Sequence, residues 1–279
     1  MTHFYRRSGV SLIEVIIVIA VVALLVAMLL PAIQRVRVAA HRMTSMHNLK
    51  QIQLAVHNFA SANGDRLPAI DGDPNGPNPN RSAFVAILPF IEQHAAYDIA
   101  SAKPSNAPAI QLFLDPADPT LSLGTAQPYF TGPVSPSISA EILNLNRGLS
   151  SYAANAQVFR AGYTVTASIP DGHSNTIMVG DSLFGYWGDA YSCCVRVWDD
   201  AAHPDLWDTY WQVTPATGVN LQFFSFGSNH GEICVFALAD GSTHNVSKKI
   251  DQVLFKAIST RNGAMKSMGP SSENIDGAW

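Results

Sequence analysis

The sequence has little charge, little cysteine and none of the common catalytic signatures. Only 14% of its 279 residues are charged, and the formal net charge is -4. A nucleic-acid-binding domain is expected to carry a basic stripe, so this composition argues against a nucleic-acid partner. The chain also lacks a G-x-S-x-G, a Walker and an H-E-x-x-H motif. We therefore expect a protein that is not an enzyme.

The cysteines are few, and their positions restrict how they can pair. They are Cys193, Cys194 and Cys234, with no C-x-x-C pair, which excludes a zinc ribbon. Adjacent Cα atoms lie about 3.8 Å apart, below the usual disulfide range of about 4.4–6.8 Å, so a bond between the two neighbours would be strained. We expect one of them to pair with Cys234 in an oxidising compartment. Three buried free thiols are the alternative.

A long apolar run dominates the N-terminus. A short basic head, Arg6-Arg7-Ser8-Gly9, leads into residues 10–14, and every residue from Val15 to Leu30 is apolar. About 20 apolar residues cross a bilayer as a helix, so a transmembrane segment is predicted over residues 10–30. Glu14 lies inside this run. A charge in hydrocarbon costs about 2.5–3.5 kcal/mol and normally has a partner.

Three simpler interpretations explain the run less completely. A plain transmembrane anchor accounts for the hydrophobicity but for neither Glu14 nor the Gly9 junction. A secretory signal peptide has a shorter apolar core and a small-x-small cleavage site, for which Leu25-Val26-Ala27 is a poor candidate. A buried core helix is disfavoured by the length of the run.

The basic head, Gly9 and Glu14 together resemble the type IV prepilin leader. The resemblance implies that a prepilin peptidase cuts between Gly9 and Val10, that the new amine of Val10 is methylated, and that Glu14 is the fifth mature residue. Val10 departs from the usual Phe. Pro31 matches the kinking proline of pilin-like helices. Loss of Arg6 and Arg7 with the leader changes the charge from 17−21 to 15−21, or -6.

The periodicity after Pro31 predicts that the helix continues to about residue 62. Apolar residues recur there in steps of three and four, and Asn63-Gly64 supplies a stop. The stripe comprises Val36, Ala39, Met43, Met46, Leu49, Ile52, Val56 and Phe59. Pro31 is expected to bend the helix rather than end it.

The remainder predicts an α+β domain with a loop-rich insert before an antiparallel sheet. The insert is expected to hold a surface loop at 71–80, a helix over 82–100 that Ser82 caps and Pro89 kinks, and a strand over 110–114. Further strands are predicted over 151–158, 176–179 and 233–238, then an Asp240-Gly241 turn and a returning strand over 243–246. A terminal helix is predicted over 250–260. The domain boundaries follow: leader 1–9, long helix 10–62, extracytoplasmic domain 63–262 and loose tail 263–279.

Several local motifs together resemble a known family. They are Leu49-Lys50-Gln51-Ile52, His57-Asn58-Phe59, Leu88-Pro89-Phe90-Ile91-Glu92-Gln93, Ser151-Tyr152-Ala153-Ala154-Asn155, Asp171-Gly172-His173-Ser174-Asn175-Thr176-Ile177, Phe226-Gly227-Ser228-Asn229-His230, and His230 followed after nine residues by Asp240-Gly241. The combination is similar to the planctomycete pilin-like family of unknown function, which is related to the pseudopilins of type II secretion. The resemblance implies a type IV pilin-like fold. Asp115 stands where members often have Cys, which removes one disulfide partner.

The pair His230 and Asp240 suggests a catalytic dyad, but the spacing argues against it. Ten extended residues at about 3.3 Å each place the two side chains roughly 30 Å apart, at opposite ends of one strand. We expect a structural signature, in which Asp240-Gly241 makes the hairpin turn and His230 shapes the loop before the strand. A binding role for His230 is the alternative.

A region rich in Trp and Asp, residues 186–211, is a second candidate for a ligand site. Asp199, Asp200, Asp205 and Asp208 offer oxygen ligands for Ca²⁺, although the spacing is not that of a calcium loop. Exposed tryptophans could stack on sugars, and a solvated loop is the plainer interpretation.

Two functional hypotheses follow from these observations. The first is a filament subunit of the inner membrane, with like or related pilin subunits as partners and its globular domain outside. The second is a membrane-anchored module that binds a glycan or Ca²⁺ and does not polymerise.

Overall fold

The computed structural model describes residues 12–70, 81–102, 107–118, 148–160, 162–182, 185–188, 193–195 and 226–261. The chain divides into two units, residues 1–41 and 42–279. The predicted loop at 71–80 and the predicted loose tail lie outside the described residues.

Helix α1, Leu12–Ala62, confirms the predicted long helix over its described length. Pro31 lies inside this helix. Its ring and its missing N–H interrupt one turn, but the apolar pattern continues on both sides, so the helix does not end there. Gly64 and Asp65 both adopt a φ of 66°, and the amide of Asp65 donates to the carbonyl of Ala60 at 2.8 Å. This left-handed turn ends the helix where Asn63-Gly64 predicted it.

In the first unit, residues 12–40 of α1 are exposed. Within the described residues, α1 is the one helix long and apolar enough to cross a membrane. Its large apolar side chains lie on every face, with exposed fractions from 49% at Val15 to 80% at Leu12. Such a surface needs lipid or other helices around it.

In the second unit, α1 buries a different stripe from the one predicted. Leu49, Ile52 and Val56 are buried as expected, but Met43 is 72% exposed and the polar Ser45 and Gln53 are fully buried. The prediction counted apolar residues alone, whereas the sheet side of α1 also carries polar side chains that have partners in the interior.

The insert contains short helical segments instead of one helix and a strand. Helix α2, Ala83–Ile87, begins at Ser82, whose hydroxyl accepts from the amide of Val85 at 3.3 Å. A 3-10 turn over Leu88–Ile91 follows, and α3 is His94–Ala102. The expected continuous helix is wrong because Pro89 starts the 3-10 turn and Glu92 ends it with a φ of 62°.

The strand expected over 110–114 is also wrong, because Gln111–Phe113 forms a 3-10 turn. Phe113 packs in the core with its ring centroid 5.1 Å from that of Phe84 and 5.6 Å from that of Trp187. Short apolar runs do not by themselves distinguish a strand from a buried turn.

The sheet has five strands in the order β3-β1-β2-β4-β5. They are β1 Tyr152–Asn155, β2 Ile177–Asp181, β3 Cys194–Val195, β4 Ile233–Leu238 and β5 Thr243–Ser247. Strands β1, β2, β4 and β5 pair antiparallel, and the two-residue β3 pairs parallel with β1. Helix α4, Gln252–Ser259, follows. The predicted α+β arrangement, a long helix with an antiparallel sheet, is therefore confirmed, and β4 has the predicted bounds.

Alternation along β4 separates two hydrophobic clusters. Val235 and Ala237 join the large cluster that includes the buried face of α1. Cys234, Phe236 and Leu238 join a second cluster that includes Phe255 of α4. Successive side chains of a strand point to opposite faces of the sheet, so β4 is buried on both sides.

Candidate functional site: the processing segment and the signature histidine

Three residues of the N-terminal segment are predicted to act in processing and assembly. Gly9 and Val10 lie outside the described residues. Glu14 is described and lies in the first turn of α1, exposed among the apolar side chains of residues 12–40. A helix N-terminus carries partial positive charge, which favours a carboxylate in this turn.

His230, the first residue of the predicted signature, lies in the interior of the second unit. Its Nε2 atom lies 3.2 Å from Oδ2 of Asp115, and the two side chains are 1% and 3% exposed. The other oxygen of Asp115 accepts from the amide of Ala117 at 2.9 Å. The amide of His230 donates to the hydroxyl of Ser228 at 3.1 Å. The loop before β4 is thus fixed to the loop at 114–118.

A second buried carboxylate, Asp181, lies at the end of β2 in the same region. Its Oδ1 accepts from the hydroxyl of Ser45 on α1 at 3.0 Å, and its Oδ2 accepts from the amide of Val235 on β4 at 2.9 Å. Nearby, the Asn48 amide donates to the Tyr152 hydroxyl at 3.2 Å. Asp181 therefore joins α1, β2 and β4 through one side chain.

The environment of the two acids favours their protonated forms. Burial raises the pKa of Asp181 to about 7, although hydrogen bonds from Ser228 and Val235 oppose the shift. Burial also raises the pKa of Asp115 to about 6. The hydrogen bond from Ala117 opposes this shift, and the negative charge of Asp118 adds to it. Desolvation disfavours the ionised form of a buried carboxylate, and a nearby negative charge disfavours it further. For Asp181 that nearby charge is Asp115.

Asp240 and Gly241 lie at the other end of β4 and make the predicted turn. Gly241 has a φ of 82°, which glycine adopts without cost, and its amide donates to the Leu238 carbonyl at 2.9 Å. Asp240 Oδ1 accepts from the amide of Ser242 at 2.8 Å. The Lys50 ammonium on α1 donates to the Gly241 carbonyl at 2.5 Å. Both ends of β4 therefore contact other elements, so each half of the signature has a structural role.

The expected pairing of Cys234 is wrong. Cys234 is a free, buried thiol, whereas Cys193 is disulfide-bonded. The sheet explains why these two do not meet, since Cys193 belongs to the cluster on the α1 side and Cys234 to the cluster on the α4 side. Burial raises the pKa of the Cys234 thiol. The side chain of Cys194 lies outside the described residues.

The predicted calcium ligands, Asp199, Asp200, Asp205 and Asp208, lie outside the described residues, so that site stays a prediction. Among the residues that are described, no group of three or more His, Cys, Asp or Glu side chains is placed to hold a metal ion. Trp187, at the edge of this region, is fully buried and donates its Nε1–H to the carbonyl of Pro108 at 2.9 Å.

Sequence reasoning missed Asp181, Ser45 and the role of Asp115. The signal for Asp181 was a carboxylate two residues after the strand predicted over 176–179. Ser45 gave a weaker signal, since it lies four residues before Leu49 and seven before Ile52 on the same helix face. A polar residue on a buried stripe needs a partner, and here the partner is a buried acid.

Comparison with known proteins places these features in a class. A model of the prokaryotic N-terminal methylation motif matches residues 5–30, which include the basic head, Gly9, Val10 and Glu14. Together with the long exposed apolar helix and the α+β domain, this match defines a type IV pilin-like subunit that is processed as a prepilin and anchored in a membrane.

A second model, described as a protein of unknown function (DUF1559), matches residues 34–253. The chain belongs to this family. No curated protein matches it, and no solved structure does either.

Proposed function

We propose that this protein is a structural subunit that is inserted into the inner membrane, cut after Gly9 and assembled into a filament of the type II secretion or type IV pilus kind. The observation that carries the proposal is the methylation motif over residues 5–30, which coincides with an exposed apolar helix. In the membrane, lipid covers this surface. In a filament, the same surface packs against other copies or related subunits.

Glu14 has a specific part in this assembly. Cleavage frees the amine of Val10, and Glu14 of one copy neutralises that amine on its neighbour. A carboxylate in hydrocarbon is costly, and an ion pair in such surroundings can fix the register between subunits. The partners are therefore a prepilin peptidase and like subunits, and no catalytic role belongs to the proposal.

The globular unit lies on the extracytoplasmic side of the membrane in this proposal. The methylation motif over residues 5–30 overlaps the membrane-length segment of α1, which supports a subunit with one membrane span and an external domain.

Mass spectrometry of the native N-terminus tests the processing step, and negative-stain microscopy tests the assembly step. We expect a chain that begins at methylated Val10 and filaments that contain it. Recovery of the intact leader, or processed protein that forms no filament under any condition of expression with its peptidase, contradicts the proposal.

A further inference from the structure

A groove on the second unit runs between α1 and the two 3-10 turns. It has a volume of about 530 Å³ and is lined by Gln51, Leu54 and Ala55 of α1, by residues 90–93 and by 110–112. Leu54 is 60% exposed, and Phe90, Ile91 and Leu112, which line the groove with it, are partly exposed. An apolar groove that reaches the solvent is a candidate interaction site.

The chemistry of the groove restricts what can occupy it. Its floor contains the buried Ala55 and Ile110, and its rim carries the exposed polar side chains of Gln51, Glu92 and Gln111. None of the residues that line it is a Lys or an Arg. An apolar floor with carbonyl and carboxylate acceptors on the rim suits a helix that has one apolar face with cations on its flanks.

The chain itself presents such a segment, at residues 33–43 of α1. Ile33 and Val36 are three residues apart and therefore lie on one face of the helix, and they are 59% and 68% exposed. The exposed Arg35 and Arg37 lie about 100° to either side of Val36. These residues follow Leu30, so they lie beyond the roughly 20 residues that a bilayer covers. Apolar side chains that lipid does not cover need a protein partner in water.

We propose that the groove holds residues 33–43 of α1 from a second copy of this chain. Ile33 and Val36 contact the floor, and Arg35 or Arg37 pairs with Glu92. The inference rests on the proposed function and adds to it the contact surface between subunits.

The contact joins two different surfaces of the chain, centred about 15 residues apart in the sequence. A contact between unlike surfaces is heterologous, and such contacts build open filaments when the rotation between copies does not close. The contact therefore belongs to the assembled state.

Cysteine cross-linking of the full-length chain tests the contact. One tagged copy carries Leu54→Cys, a differently tagged copy carries Val36→Cys, and both are expressed together with the processing peptidase. A maleimide cross-linker is applied to isolated filaments. Ile99→Cys is the matched control for Leu54→Cys, because Ile99 is a 46% exposed apolar residue on α3 that does not line the groove.

We expect heterotypic cross-links for the pair 36/54, several-fold above those for the pair 36/99, in filaments and not in membranes. If filaments form but 36/54 gives no more product than 36/99, the inference is overturned while the proposed function stands. If no filaments form, the proposed function itself fails. Normal filaments with Leu54→Glu would also overturn the inference, since a charge in the groove would then leave assembly unaffected.

Charge reversal gives an independent test of the orientation. Glu92→Arg is expected to lower the 36/54 cross-link several-fold, and Arg35→Glu with Arg37→Glu in the partner copy is expected to restore it in part. Asp98→Arg on α3 is the matched control, because Asp98 is an exposed acid that does not line the groove. Equal effects of Glu92→Arg and Asp98→Arg would overturn the proposed pairing.

Discussion

His230 and Asp115 meet in the interior of the globular unit, with Nε2 and Oδ2 3.2 Å apart and both side chains almost fully buried. They are 115 positions apart in the chain, and each belongs to a loop. Their contact ties the loop before β4 to the loop at 114–118, beside Asp181 and its bond to α1. His230, the first residue of the signature, therefore links two loops of the fold at this point.

Loss of one partner of this pair is expected to destabilise the protein strongly. Asp115→Ala removes the acid that contacts the buried imidazole of His230, and loss of such a polar neighbour typically costs about 1–3 kcal/mol of unfolding free energy. Thermal and denaturant unfolding of the full chain in detergent measures the effect. Asp98→Ala, at an exposed acid, is the control and should change the free energy of unfolding by no more than about 0.5 kcal/mol. Equal stability of the two variants would contradict a structural role for the pair.

The buried acids also predict an unusual dependence of stability on pH. The folded chain raises the pKa of Asp115 to about 6 and that of Asp181 to about 7, from 3.8. Between about pH 4 and pH 7 the folded state therefore binds protons that the unfolded state has released, and the free energy of unfolding falls as the pH rises. The two acids contribute most to the free energy of unfolding near and below pH 4, and this contribution is lost by about pH 8.

Melting temperatures between about pH 5 and pH 8 test this dependence. Surface acids whose pKa is lowered in the fold, such as Asp65 and Asp240, stay ionised throughout this window and do not obscure the effect. Asp181→Asn keeps a side chain that can bond Ser45 and Val235 but removes the titration, so it should flatten the profile. A wild-type protein that becomes more stable from pH 5 to pH 8 would contradict the assigned shifts.

Close packing between β2 and β4 predicts a specific steric effect at Gly180. A Cβ atom at this position would lie 2.3 Å from Cδ1 of Phe236, its partner across the ladder. Gly180→Ala should therefore lower the free energy of unfolding by about 1–3 kcal/mol. Phe236→Leu removes the obstructing ring atoms, so the double variant should be more stable than the sum of the single changes predicts. Additive effects in this cycle would contradict the steric account.

Alkylation of the native and unfolded protein without reductant tests the cysteine assignment. Cys234 is fully buried and free, so a maleimide should modify it only after unfolding. A peptide that links Cys193 to Cys234 would contradict the structure and restore the pairing that sequence reasoning favoured.

Much of the sheet and of the long helix could be predicted from the sequence, because their signals are local. Strand β4 is an unbroken apolar run with a turn sequence directly behind it, and its predicted bounds are those found. Asn63-Gly64 likewise ends α1. The insert was harder, since Pro89 and short apolar runs such as 110–114 allow turns, strands and helices alike.

The buried site could be predicted only in part, because its contacts join residues that are far apart in the chain. The sequence singled out His230 and correctly separated it from Asp240, which lies at the far end of β4, but it did not predict what His230 contacts. Its actual neighbour, Asp115, entered the sequence analysis only as a departure from the family pattern. Asp181 and Ser45 are separated by 136 positions, and no local sequence pattern predicts the hydrogen bond between them.

Glu14 provides the most direct test of assembly. Glu14→Ala removes the carboxylate that is proposed to neutralise the Val10 amine of a neighbour but leaves the apolar run and the Gly9 junction intact. Membrane insertion and cleavage should therefore persist, while the yield of filaments should fall by at least about tenfold, corresponding to about 1.4 kcal/mol per contact. Glu14→Asp, which retains the charge on a shorter side chain, is the control and should assemble better than the alanine variant. Gly9→Val should instead block cleavage, so that neither the free amine nor the filament forms. Wild-type filament levels for Glu14→Ala, with processing confirmed by mass spectrometry, would show that this ion pair does not set the register.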